Sequence, residues 1–164
     1  MSVLNPYSGF TNSVLGKPAS KAYSPLVVET KDLFVVAGGL VVVTALVGKV
    51  TTAITVANTV KVQANPTVGT TQDLCAATDL GTTDTPAGNL ITVSGAPTAA
   101  PVSGVGAVPL GPISKVSADF LGSSQAFVVA PGTIQQVTAT GADGGITWIC
   151  TWVPLEDGAT LAAA

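Results

Sequence analysis

Histidine and arginine are absent from this 164-residue chain, and its six basic residues are all lysine. Without His there is no Ser–His or Cys–His couple and no imidazole ligand for a metal. Without Arg there is no bidentate clamp for phosphate. Charged residues make up only 9%, against about 25% in an average soluble domain. A net charge of −3 and a pI near 4.5 leave no basic footprint for nucleic acid. Two cysteines, Cys75 and Cys150, are too few to define a disulfide framework. They could pair with each other, or else they read as small buried hydrophobes of a chain made in the cytoplasm. No GxSxG, P-loop, GxGxxG with a following acid, CxxC or calcium-loop pattern occurs. The longest apolar stretch, residues 33–47, falls short of the ~20 residues of a spanning helix and contains Gly38-Gly39. It reads as a pair of buried strands. The first six residues lack the basic-then-apolar order of a signal peptide.

What the chain does contain is 47% hydrophobic residues, with 18 Gly and 11 Pro. That hydrophobic content excludes disorder of the whole chain, and 164 residues suffice for one domain with a core. With so few ionic side chains, Thr, Ser, Gly, Asn and Gln must wet the surface. Such a surface suits a protein covered by partners in an assembly; the alternative is the neutral, Thr-rich exterior of a monomer.

Three stretches follow. Residues 1–30 hold Pro6, Pro18 and Pro25, which interrupt helices. Leu4, Tyr7, Phe10, Val14 and Tyr23 are scattered among them. This composition predicts an extended N-terminal arm that orders on a neighbour, or else a loose terminus or a strand returning to its own domain.

Residues 31–164 predict an all-β body, an antiparallel sandwich or barrel. The run from Val50 to Ala64 keeps one parity apolar, as one long strand or a hairpin with an odd loop. Asp73 to Leu80 reads as a short helical turn, and Asn89 to Val93 as a strand. Residues 96–114 are a Pro/Gly-rich connector. Ala126–Ala130, Thr133–Thr140 and Ile146–Val153 read as strands, with Gly141-Ala142-Asp143-Gly144-Gly145 as a hairpin loop. The last of these strands puts Ile146, Trp148, Cys150 and Trp152 on one face and Thr147, Ile149, Thr151 and Val153 on the other. Pro154 stops it, and Ala159–Ala162 returns as an edge strand.

Candidate chemistry is sparse. Asp73, Asp79 and Asp84 have the oxygen ligands for a hard cation, and equally the habits of turn and cap residues. Cys75 has no activating base, and Glu29 and Glu156 are the only glutamates. Trp148 and Trp152 share a face, as a core or subunit interface or as a platform for stacking sugars.

Three segments, Gly38–Ile54, Ala64–Cys75 and Trp148-Ile149-Cys150-Thr151-Trp152-Val153-Pro154 onward to Ala159, resemble small virion proteins of tailed bacteriophages, of the head-decoration (capsid cement) type. The resemblance spans residue 33 to the end and leaves out the arm. It implies a β-rich homotrimer on the outer capsid surface that clamps major capsid proteins, assembled in the host bacterial cytoplasm. It implies no catalytic residues, cofactor, metal or small-molecule substrate, and no nucleic-acid or membrane partner. The residues expected to touch the capsid or a sister subunit are Leu4, Tyr7, Phe10, Val14, Tyr23, Phe34, Trp148 and Trp152. The alternative function is a tail, baseplate or adhesin module that binds host-surface glycan through the two tryptophans.

Overall fold

β-branched and aromatic side chains fit a pleated, half-buried surface. Where they concentrate, the chain runs as strands. The computed structural model describes residues 16–93, 102–104, 126–141 and 143–164. They form β1 (Lys17–Tyr23), β2 (Thr30–Ala37), β3 (Val41–Thr52), β4 (Thr59–Pro66), β5 (Gln72–Asp73), β6 (Thr78–Asp79), β7 (Leu90–Thr92), β8 (Val102–Gly104), β9 (Phe127–Val129), β10 (Gly132–Thr138), β11 (Gly145–Pro154) and β12 (Thr160–Ala163). Sheet I has the order β1-β11-β3-β7-β8, with β9 also on β3; sheet II has β12-β2-β10-β4-β5, with β6 also on β4. The paired strands are antiparallel. The two sheets pack together as a β-sandwich.

The core lies between the sheets. Sheet I contributes Val41, Val43, Leu46, Val50, Ile91, Ile146, Trp148, Cys150 and Trp152; sheet II contributes Phe34, Val36, Val60, Val62, Ile134 and Leu161. Each aliphatic or Phe side chain so buried contributes about 1.5–3 kcal/mol. A register shift in β2 between its pairings with Ile134 and Gln135 leaves Leu33 as an extra residue. That bulge lets the adjacent Leu33 and Phe34 both be fully buried, which a regular pleat forbids. Gly48 lies opposite Trp148 in the ladder. A Cβ there would come within 2.9 Å of Ile146 Cγ2 and 3.1 Å of the indole, so the missing side chain is the room the ring occupies.

One polar bridge crosses the core. Trp148 Nε1 of sheet I donates to Gln136 Oε1 of sheet II at 2.7 Å, and Gln136 Nε2 donates to Thr138 Oγ1 at 2.9 Å. All three side chains are buried. The pairing satisfies groups that would otherwise be costly to desolvate.

Several sequence expectations change. The body begins before residue 30, because β1 pairs with β11 along its whole length, from Lys17↔Trp152 to Tyr23↔Ile146. Leu4, Tyr7, Phe10 and Val14 lie outside the described residues, as does most of the 96–114 connector, within which Val102–Gly104 forms β8. Residues 33–47 do hold two strands with buried side chains, but β2 and β3 lie in opposite sheets instead of pairing, and the chain crosses at Gly38, whose φ of 78° suits glycine. The Val50–Ala64 run is likewise a crossing from β3 to β4, made through the isolated Ile54↔Thr85 bridge. The segment before β11 is also a crossing, not a hairpin, since β10 and β11 lie in different sheets. No helical turn forms between Asp73 and Leu80; β5 and β6 there pair with separate points of β4.

Candidate interaction surface

Residues paired across an antiparallel ladder share a face, so the register defines what each sheet shows outward. The outside of sheet I carries Pro18, Ser20 and Ala22 of β1, Thr147, Ile149, Thr151 and Val153 of β11, Val42, Thr44, Ala45, Val47 and Lys49 of β3, and Val128 of β9. Lys49 is the one ionisable side chain in that set. Val128 is 56% exposed and Ile149 39%. Thr44 and Thr151 bond to each other through their hydroxyls at 2.8 Å, which uses polar capacity inside the sheet surface.

The outside of sheet II is built otherwise. Gln135 Nε2 donates to Asp32 Oδ1 at 2.7 Å, and Gln63 Nε2 donates to Gln135 Oε1 at 2.9 Å. Lys61 Nζ meets Asp73 Oδ1 at 2.7 Å on the same face. At the side where β1, β2 and β12 approach, an open cleft is lined by Lys21, Glu29, Thr30, Lys31, Asp32 and Ala164. There the Lys21 ammonium bonds the Ala164 carbonyl, and Lys31 lies 3.6 Å from Glu29. Such exposed pairs contribute little to stability.

Four of the expected interface residues are not on any surface. Tyr23 is 5% exposed, Phe34 0%, Trp148 1% and Trp152 4%. Their inward parity meets the chain's own second sheet, so they hold the sandwich together rather than touch a partner. The same burial removes the sugar-stacking platform. The Tyr23 hydroxyl accepts from Val27 N at 3.2 Å and lies 3.0 Å from Val27 O and 3.1 Å from Glu29 Oε1, which fastens the turn between β1 and β2. Burial pushes the Tyr23 phenol up. Lys17 Nζ lies 5.3 Å from the Trp152 ring centroid, closing the core at that rim. The residues that sequence reading passed over are Val42, Val47 and Val128, with Ile149 and Val153. For the last two the signal was present, as the second parity of the Ile146–Val153 run.

The cysteines and aspartates have structural partners. Cys75 and Cys150 are free, buried thiols. Burial pushes Cys150 up to about 12 and also raises Cys75, which makes both poor nucleophiles. The Asp79 carboxylate accepts from Thr82 Oγ1 at 2.6 Å, Gly81 N at 2.8 Å, Thr82 N at 3.0 Å and Asn58 N at 3.2 Å. Those donors hold it well below the usual carboxylate range. Among the described residues, no group of three or more His, Cys, Asp or Glu side chains is placed to hold a metal ion.

No protein-family model matches the chain, and neither a curated protein nor a solved structure matches it.

Proposed function

We propose that this chain is a structural protein of a tailed-bacteriophage virion that decorates the outside of the head and cements neighbouring major capsid proteins. The outer face of sheet I carries the reading: four strands present mainly Val, Ile, Thr and Ala side chains, with Lys49 as the single ionisable group among the described residues named on it. A face of this kind loses little charge hydration when covered. Each Å² of apolar area it buries contributes about 25 cal/mol before association costs. The segment resemblance points to the same class of protein. Repetition over a lattice multiplies a modest single-site affinity, which is how a thin shell gains resistance to the outward push of its packed genome. Self-association as a trimer belongs to the same proposal.

The test is occupancy of purified, expanded heads by the wild type and by the double variant Val128→Asp/Ile149→Asp. Both sites are exposed, so the variant keeps its fold while placing carboxylates on the face. We expect occupancy to fall at least tenfold. Unchanged occupancy rejects this face as the docking surface, and a wild type that never binds heads rejects the function itself. Removal of residues 1–15, which leaves β1 intact, measures the arm separately. Light scattering that gives a stable monomer rejects the trimer.

A further inference from the structure

The crossing from β3 to β4 is tied on two flanks. Asp143 Oδ2 accepts from Thr55 N at 2.8 Å, Thr55 Oγ1 at 2.7 Å and Val56 N at 3.2 Å. Two residues on, Asn58 closes the crossing through its backbone: its N–H donates to Asp79 Oδ1 at 3.2 Å, and its carbonyl accepts from Leu80 N at 3.0 Å. The Asn58 side chain itself is left over. The residue is 0% exposed, yet neither Nδ2 nor Oδ1 has a partner, and Asp143 Oδ1 on the neighbouring flank is likewise buried and unpaired.

Buried amides are satisfied in folded proteins, by protein or by ordered water. We propose that Asn58 holds an internal water molecule that is a fixed component of the fold. The chemistry of the orphaned atoms selects the ligand. Asn58 leaves both a donor and an acceptor unpaired, and exchanging its N and O positions does not change that inventory. A cation would engage the oxygen and repel the N–H group. The nearby Asp79 carboxylate already accepts four hydrogen bonds, which leaves it little capacity as a further ligand. Water donates and accepts, so it answers both atoms of the amide, and its remaining capacity is available to a further buried acceptor of the kind Asp143 Oδ1 presents. Asparagine at this position thereby fixes where β4 begins, whatever the outer faces of the sandwich meet.

A crystal structure of the full chain at about 1.5 Å or better tests this directly. We expect one density peak about 2.7–3.2 Å from both Asn58 Nδ2 and Oδ1. An empty site, direct protein partners for both atoms, or a peak at about 2.3–2.6 Å with cation coordination overturns the proposal. In solution, oxygen-17 relaxation dispersion counts long-lived internal waters. Asn58→Leu, which lacks both groups, should hold one fewer than the wild type, and an equal count overturns the assignment. The wild-type crystal result decides the matter even if that variant does not fold.

Discussion

On the outside of sheet II, Asp32, Gln135 and Gln63 are bonded in a row across β2, β10 and β4, and Lys61 is paired with Asp73 at its edge. On the outside of sheet I, Val42, Val47, Val128, Ile149 and Val153 are interleaved with threonines, two of which bond to each other. Both faces belong to one sandwich and share one core. The difference shows that this chain's few charges are distributed unevenly. Where the polar groups are already paired and hydrated, covering the face would strip water from amides and ions. Where ionic and amide groups are nearly absent, covering it removes mainly apolar area and hydroxyls. The first arrangement suits contact with solvent, and the second suits contact with protein.

The comparison can be broken at its foundation first. If Trp148 is the rivet between the sheets, Trp148→Ala should cost about 3–5 kcal/mol in chemical unfolding. A loss under about 1 kcal/mol would mean that the indole is not core, and the inner and outer faces would need reassigning. Gln136→Leu isolates the polar bridge. It leaves the Trp148 N–H unpaired and should cost about 1–3 kcal/mol. Next come the two outer faces themselves. Gln135→Ala breaks the row on sheet II and should cost about 1 kcal/mol or less while leaving head occupancy unchanged. Val128→Asp/Ile149→Asp on sheet I should do the reverse, changing stability by about 0.5 kcal/mol or less and lowering occupancy at least tenfold. Matching effects from the two faces would erase the distinction.

The pH dependence sharpens it further. Asp79 and Asp143 both have folded-state pKa values below their unfolded ones, because hydroxyl and backbone donors favour the carboxylate. Their contribution is therefore complete above the unfolded value of about 3.9 and is lost as pH falls through the folded values. Unfolding midpoints of Asp79→Asn and the wild type should differ at pH 7 and converge in strong acid. A constant gap would show that the Asp79 charge is not what the turn uses.

Much of this architecture was legible along the chain. The run Ile146–Val153 declared its two faces by alternation alone, and the residues read together on one side, Ile146, Trp148, Cys150 and Trp152, are the buried ones. Pro154 ends that strand, and the return at its far end is β12. What misled was the set of turns. Gly141, Asp143 and Gly144 look like hairpin chemistry, but they carry the chain from one sheet to the other, and Gly38-Gly39 does the same between β2 and β3. Glycine and aspartate permit a reversal in either setting, so residue type cannot say whether the next strand pairs beside its predecessor or packs across from it. The helical turn expected over Asp73–Leu80 fails for a related reason. Leu74 N bonds Val62 O and Leu80 N bonds Asn58 O, so distant strands claim the backbone groups a helix would have used. Tyr23, Phe34, Trp148 and Trp152 were expected at an interface because aromatics signal burial without saying by what.

Composition and alternation by themselves determined that this chain is all β, poor in ionic groups, and made of strands with one apolar side. Those properties follow from side-chain chemistry and the two-residue period of a strand, which act locally. Only the tertiary structure decided that Trp148, Trp152, Phe34 and Tyr23 face their own partner sheet, that the charge-poor face belongs to sheet I, and that Asn58 is sealed with no protein partner for its amide. Each of those depends on which distant strand lies opposite, and that choice is made by the packing of the whole sandwich.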